Sequence, residues 1–221
     1  DIGLWRSEEA VFRRVFTNEQ TLLELGCGTG RISLGMWELG YRGLIGTDFS
    51  REMIKTARGL AGKLGYSVPL RVADATKLPF EDHMFAGVIF GFNGLMQIPT
   101  RELRRQALGE MRRVTEPGGR GVFTTHDRGV GSPDGFWEAE KERWQHGKQD
   151  ARLNMFGDLI TSSDYGEIFI HIPDRAEVVE DLRDMGWTLL EDAMRSEIAA
   201  ESDDVKQFSA ECRFWVVENS G

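Results

Sequence analysis

Hydrophobic positions along the chain fall into two alternating kinds of run. Short apolar runs of strand length occupy 21–25, 43–48, 68–73, 85–92 and 121–125. Between them the period is helical. Over 31–39, Ile32, Met36 and Leu39 recur at i, i+4 and i+7, and Gly40 supplies a stop. Met53, Ile54, Ala57, Leu60, Ala61 and Leu64 form a second stripe, opening behind Ser50 as N-cap and closing near Gly65. A third helix over 101–114 is expected to bury Leu103, Ala107, Met111 and Val114 and to stop at Pro117-Gly118-Gly119. Such alternation means βαβ units: an α/β fold, a doubly wound and mostly parallel sheet with helices on both faces.

The alternation breaks after His126. Residues 127–173 carry Phe136, Trp137, Trp144, Phe156, Tyr165 and Phe169 among charges and glycines, the composition of an insertion that folds over something. It resumes with a helix over 174–185 and strands over 187–190 and 212–217. The organisation expected is one domain, 1–221, with 127–173 as a cap inserted after the fifth strand.

Composition narrows the partners. A net charge of −9 argues against a broad nucleic-acid surface, which needs excess Lys and Arg. Arg101, Arg104, Arg105, Arg112 and Arg113 read as the solvated face of an amphipathic helix. The eleven acids against three bases in 176–211 read as a solvated acidic face. Cys27 and Cys212 have no metal-ligand spacing and make no disulfide framework, which suits a reducing cytoplasm. No run approaches the ~20 apolar residues of a membrane span, so no membrane partner is expected. No signal peptide is visible, although the sequence opens at Asp1 without methionine, which weakens that reading.

The candidate chemistry lies where the first strand ends, in Leu22-Leu23-Glu24-Leu25-Gly26-Cys27-Gly28-Thr29-Gly30. In an open parallel sheet, ligands bind beyond the carboxyl ends of the strands. A glycine turn there lets a ligand approach backbone amides and a helix N-terminus. Asp48 ends the second strand, where a carboxylate can accept hydrogen bonds from a ribose diol. Asp74 ends the third, followed by Ala75. Together these features describe a nucleoside site. A dinucleotide fingerprint needs glycine where Arg31 stands. Glu24 suits a cationic amine better than a pyrophosphate, so the ligand favoured carries ammonium and sulfonium groups.

The segments "ELGCGTG", "GTDFS", "VADATKLPF" and "RRVTEPGG", in this order, resemble the class I S-adenosylmethionine-dependent methyltransferases. The resemblance spans 21–125 closely and extends loosely to the end. It implies a Rossmann-like, seven-stranded sheet whose last strand is antiparallel, with S-adenosyl-L-methionine as cofactor. By this resemblance Gly26 and Gly28, in the turn with Cys27 and Gly30, lie against the methionine and ribose parts. Asp48 holds the ribose hydroxyls, Phe49 and Met53 flank the adenine, Asp74 and Ala75 meet its amino edge, and Gly91 faces the methionine amine. Many family members carry an Asn/Asp-Pro-Pro-aromatic segment or a histidine after the fourth strand. Here Asn93 lacks the prolines and Gln97 stands about where the histidine would be, so the accepting atom is not assigned.

Methyl transfer from a sulfonium needs chiefly close approach of donor and acceptor. A base matters only where the acceptor must lose a proton. His126, after the fifth strand and beside Asp127, and His171, in the insertion, are the catalytic candidates. No metal is expected, because the histidines share no ligand spacing. The reading is a methyltransferase acting on a small-molecule acceptor. A tRNA or other nucleic-acid methyltransferase, and a nucleoside-binding protein or dehydrogenase without methyl transfer, stay open.

Overall fold

The computed structural model describes residues 3–130, 135–163 and 166–221. Helix α1 (Arg6–Val15) precedes the alternating part and was not among the expected elements. The alternation then runs β1 (Leu22–Glu24), α2 (Arg31–Glu38), β2 (Leu44–Asp48), α3 (Arg51–Leu64), β3 (Leu70–Val72) and β4 (Phe85–Phe90). A 3₁₀ turn (Gly94–Gln97), α4 (Arg101–Val114) and β5 (Thr115–Thr125) follow. The insertion holds α5 (Phe136–Gln145) and a hairpin of β6 (Asp158–Ser163) and β7 (Gly166–His171). The chain closes through α6 (Arg175–Asp184), β8 (Thr188–Met194), α7 (Arg195–Ile198), α8 (Asp203–Phe208) and β9 (Arg213–Glu218).

Seven strands form one sheet in the order β3-β2-β1-β4-β5-β9-β8. The pairs among β1 to β5 are parallel, and β9 runs antiparallel to both β5 and β8. This is the expected doubly wound sheet, and its strand order reverses between β1 and β4. Period-two alternation makes two cores. Val88, Phe90, Trp215 and Val217 face α4 and α6, whereas Ile89, Phe214 and Val216 face α1 and α2.

Several expectations are corrected. Of the α3 stripe only Ile54, Ala57 and Ala61 are buried; Met53, Leu60 and Leu64 are exposed, because α3 covers only the β2–β3 edge. Leu103 is only half-buried, and Arg104 and Leu108 take its place inside. Pro117-Gly118-Gly119 does not precede the fifth strand but lies within it. The register steps from Phe85↔Thr115 to Gly87↔Arg120, so 116–119 bulge out, where proline need not donate to the ladder.

The two charged faces are not free solvated faces. Arg104 is 4% exposed. Arg101 and Arg105 both donate to Asp181, and Arg101 also pairs with Glu180. Arg113 binds Glu110, Asp82 and the Phe80 and Leu78 carbonyls, and Arg112 binds the Gly186 carbonyl. The acids of α6 thus serve as partners for Arg101, Arg104 and Arg105 of α4.

Within the insertion, Trp137 packs edge-on against Phe136 and Phe156, with ring centroids 5.0 and 5.7 Å away. Trp144 and Phe169 are half-buried, and Tyr165 lies outside the described residues. A cavity of about 310 Å³ opens between α5 and β6, lined by Phe136, Glu140, Arg143, Leu153 and Leu159 among others.

Candidate functional site: a glycine turn at the sheet's switch point

The three glycines after β1 all take positive φ: Gly26 at 61°, Gly28 at 55° and Gly30 at 91°. Their surroundings differ. A Cβ on Gly26 would stand 2.9 Å from the Phe90 ring, and one on Gly30 would stand 3.2 Å from Ala57 Cβ. Apart from its own chain neighbours, no protein atom lies within 4 Å of the position a Gly28 Cβ would fill. Packing therefore explains two of the glycines, and only Gly28 leaves an open cradle.

Asp48, at the end of β2, faces that cradle. Its Oδ2 accepts the Gly28 N–H at 2.8 Å and its Oδ1 accepts the Ser50 N–H at 2.8 Å. These two bonds fix the carboxylate and leave lone pairs for further donors. Beside it Phe49 is 77% exposed and Met53 45% exposed, two large apolar groups without cover at one rim. Asp74 is exposed beyond β3, its Oδ1 accepting the Thr76 N–H and hydroxyl, with Ala75 half-buried next to it. Gly91, after β4, has its α-carbon against α2: a Cβ there would stand 2.3 Å from Ile32 Cδ1. A side chain at Gly91 would therefore require the end of Ile32 to move aside.

Glu24 is buried and accepts a hydrogen bond from the Ser33 hydroxyl. Burial pushes its carboxyl up to about 7, against the lowering effects of Ser33 and Arg31. Cys27 is also buried, which raises its thiol well above the ordinary value and keeps it neutral.

The two histidines are not brought into one network. His126 Nδ1 lies 2.7 Å from the Glu211 carbonyl, which can only accept, so Nδ1 carries the proton. Nε2 faces Asn93 Nδ2 at 3.4 Å. Burial, with the Arg195 charge adding to it, lowers the ring's pKa and keeps it neutral. Asp127 does not orient this ring, as its carboxylate is taken by Arg213 and the Gly129 N–H. His171 is 1% exposed and has Asp158 on Nδ1 and Glu177 on Nε2, each at 2.7 Å. Neither nitrogen is free for a substrate. The sequence expectation of a catalytic His171 is corrected: it joins the hairpin to α6.

Sequence reasoning missed the groups that cover the β4 and β5 ends. Phe92 and Asn93 take positive φ of 48° and 59° directly after β4. Phe92 stacks on Phe208 at 5.7 Å and meets Trp5 edge-on at 5.5 Å. Arg31 makes a two-pronged ion pair with buried Glu8 at 2.5 and 2.6 Å and lies 4.5 Å over the Trp5 ring. Arg31 thus fastens α1 across the rim. An Asn-Gly pair ending an apolar run signals a turn at Asn93, but no local signal pairs residue 8 with residue 31. Among the described residues, no group of three or more His, Cys, Asp or Glu could hold a metal, and no helix is long and apolar enough to cross a membrane.

Residues 22–119 match the family model described as a methyltransferase domain. A demethylmenaquinone methyltransferase from Desulfitobacterium hafniense is 37% identical over 123 residues, 53% of this chain and 47% of that protein. The chain spans about half the length of the curated relatives it matches. Among solved structures, a SAM-dependent methyltransferase from Methanosarcina mazei superposes with a TM-score of 0.75 at 18% identity, covering 98% of both chains. The [4+2]-cyclase SpnF superposes at 0.68 and 19% identity, covering 96% of this chain and 79% of its own, so the fold by itself does not fix the chemistry. With its glycine turn, its strand-end aspartates and its seven-stranded sheet, this chain resembles a methyltransferase domain over residues 22–119 and shares its fold with solved SAM-dependent methyltransferases.

Proposed function

We propose that the protein transfers a methyl group from S-adenosyl-L-methionine to a small-molecule acceptor. The observation that carries this reading is the open approach to the Gly28 backbone, with the Asp48 carboxylate fixed beside it. When bound, the cofactor supplies a sulfonium-activated methyl. Gly26 and Gly28 would take its methionine and ribose parts, Asp48 its hydroxyls, and exposed Phe49 and Met53 its base. Glu24, once ionised, would balance its cationic amino group. A net charge of −9 stands against a nucleic-acid acceptor.

His126 is the group suited to take a proton from the acceptor, because its fixed Nδ1–H leaves the lone pair on Nε2. That nitrogen is held only by a long 3.4 Å contact with the Asn93 amide, which an acceptor would displace. The cap of 127–173 would hold the acceptor, a role supported by its aromatic density and by the packing of β7 against the 3₁₀ turn that follows β4. An aromatic acceptor of the demethylmenaquinone kind, named for the relatives, belongs first in a screen. The test incubates metabolite pools with methyl-labelled cofactor and looks for a labelled small product. Calorimetry runs beside it with S-adenosylhomocysteine and with NAD. Binding of NAD alone, with no labelled product, would overturn the reading.

A further inference from the structure

Among the described residues, five buried side-chain polar atoms have no hydrogen-bond partner. Four belong to the rim just described: Trp5 Nε1, Ser7 Oγ, Asn93 Oδ1 and Arg195 Nη1. A buried donor left unpaired is costly, so such a concentration in one place needs a reason. Trp5 and Arg195 are the informative pair, since an indole N–H and a guanidinium can only donate. Trp5 is 3% and Arg195 4% exposed.

These two residues are far apart in sequence and in contact in space. The Arg195 guanidinium carbon lies 5.3 Å from the Trp5 ring centroid. Arg195 is held there by its own backbone N–H to the Cys212 carbonyl and by Nη2 to the Ser209 carbonyl. Its nearest carboxylate, Glu211, is 3.9 Å away, too far for a hydrogen bond. The other acids close by are already engaged. Glu8 is spent on Arg31 and the Trp5 N–H, and Glu201 on the Arg6 and Ser7 N–H groups. One cationic and one neutral donor therefore stand unused beside His126, whose ring feels the Arg195 charge.

We infer that Trp5 Nε1 and Arg195 Nη1 form a subsite for a carboxylate of the methyl acceptor, which is accordingly an organic acid. The inference rests on the methyltransferase reading and deepens it. Two donors on two residues match the two oxygens of a carboxylate, and an Arg donor strengthens both attraction and orientation. Arg195 sits at the β5 and β9 ends, across the sheet from Gly28 and Asp48, on the side where His126 stands. Phe92, which packs edge-on against Trp5, and Phe208, which stacks on Phe92, are themselves 38% and 55% exposed.

The test follows the Trp5 indole N–H in ¹H–¹⁵N spectra, assigned by its loss in Trp5→Phe. Acetate and benzoate are titrated into protein saturated with S-adenosylhomocysteine. The expected result is a saturable shift of that resonance, weakened at least about tenfold in Arg195→Gln. A linear response, or none, overturns the subsite. The cofactor's own carboxylate is checked by comparing S-adenosylhomocysteine with 5′-methylthioadenosine, which lacks the amino-acid end. Should both variants lose the preference for the former, the donors serve the cofactor and the inference is wrong. If neither nucleoside binds wild-type protein, the methyltransferase reading falls, and the acid titration of the free protein still decides the subsite. Where Arg195→Gln does not fold, acid binding to Trp5→Phe is read by calorimetry instead, and an affinity equal to wild type overturns the subsite.

Discussion

Asp158 and His171 are cross-strand partners in the cap hairpin, and their side chains meet at 2.7 Å, Oδ1 to Nδ1, almost wholly out of solvent. With Glu177 on Nε2, one buried ring bridges two carboxylates. Arg128 extends the cluster, reaching Glu177 at 3.3 Å and Asp174 at 2.7 Å. The β6–β7 hairpin is therefore fastened to α6 through these polar contacts.

That fastening makes the cap acid-sensitive. Burial raises the Asp158 carboxyl, but the His171 bond and the Asn154 and Met155 amides outweigh it and hold the carboxyl low. Burial of Glu177 is outweighed in the same way by His171, Arg128 and Arg104. A carboxyl depressed in the folded state stabilises above its unfolded value, about 4, and that contribution fades as pH falls through the folded value. Amide exchange in β6 and β7 is expected to quicken below about pH 4. At pH 7, His171→Ala should lower stability by roughly 3 kcal/mol, because two buried carboxylates then face each other. An unchanged melting temperature in that variant would refute the bridge.

Two alanine substitutions in the glycine turn should separate packing from binding. Both positions have positive φ, which costs a non-glycine residue about 1 kcal/mol. Gly26→Ala adds a clash with the Phe90 ring, so its melting temperature should drop further. Gly28→Ala should stay folded and lose S-adenosylhomocysteine affinity, since its methyl would fill the cradle. Equal affinity in Gly28→Ala and wild type would place the ligand elsewhere.

Glu24 offers a proton-linked signature of the cofactor. With its carboxyl near 7 in the free protein, a good share is protonated at neutral pH. A cationic ligand favours the ionised form, so binding should tighten as pH rises through 7 and release protons. Calorimetry in buffers of different ionisation enthalpy reads this directly. Glu24→Gln is expected to abolish the buffer dependence; its persistence would assign the proton to another group.

Asp48→Ala removes an acceptor of charge-assisted bonds worth roughly 1.5–3 kcal/mol each. S-adenosylhomocysteine affinity should fall at least about tenfold, with some loosening of the Gly28 turn. Calorimetry on the variant checks it, and an unaltered affinity would mean that the ribose is not held there.

Trp137→Ala probes the cap. Its contacts with Phe136 and Phe156 belong to the insertion alone. If the cap holds the acceptor, turnover of whichever product the labelling screen yields should drop well before cofactor affinity does. A parallel loss of both, with a lower melting temperature, would show the rings to be core.

The sheet was legible because short apolar runs such as Val88-Ile89-Phe90 and glycine stops such as Gly65 are local signals. Asp48 and the glycine turn were legible for the same reason, since strand ends can be counted along the chain. The arginines of α4 were misread because sequence shows a charge but not its partner, and Asp181 lies 76 to 80 residues away. His171 looked like a base because its two carboxylates come from β6 and α6, neighbours only after folding. Trp5 and Arg195 gave no signal at all, as each has meaning only beside the other.

The antiparallel β9 has a consequence for how the chain is made. It enters the sheet between β5 and β8, although it follows both in sequence. Until it emerges from the ribosome, β8 has no neighbour and β5 presents an open edge, with Val122, Phe123 and Thr124 ready to pair with any passing strand. The half built from β1 to β5 can assemble early, but its exposed flank persists for the whole synthesis of the cap and the acidic stretch beyond it. A chain stalled before Arg213 is thus the form most prone to aggregate.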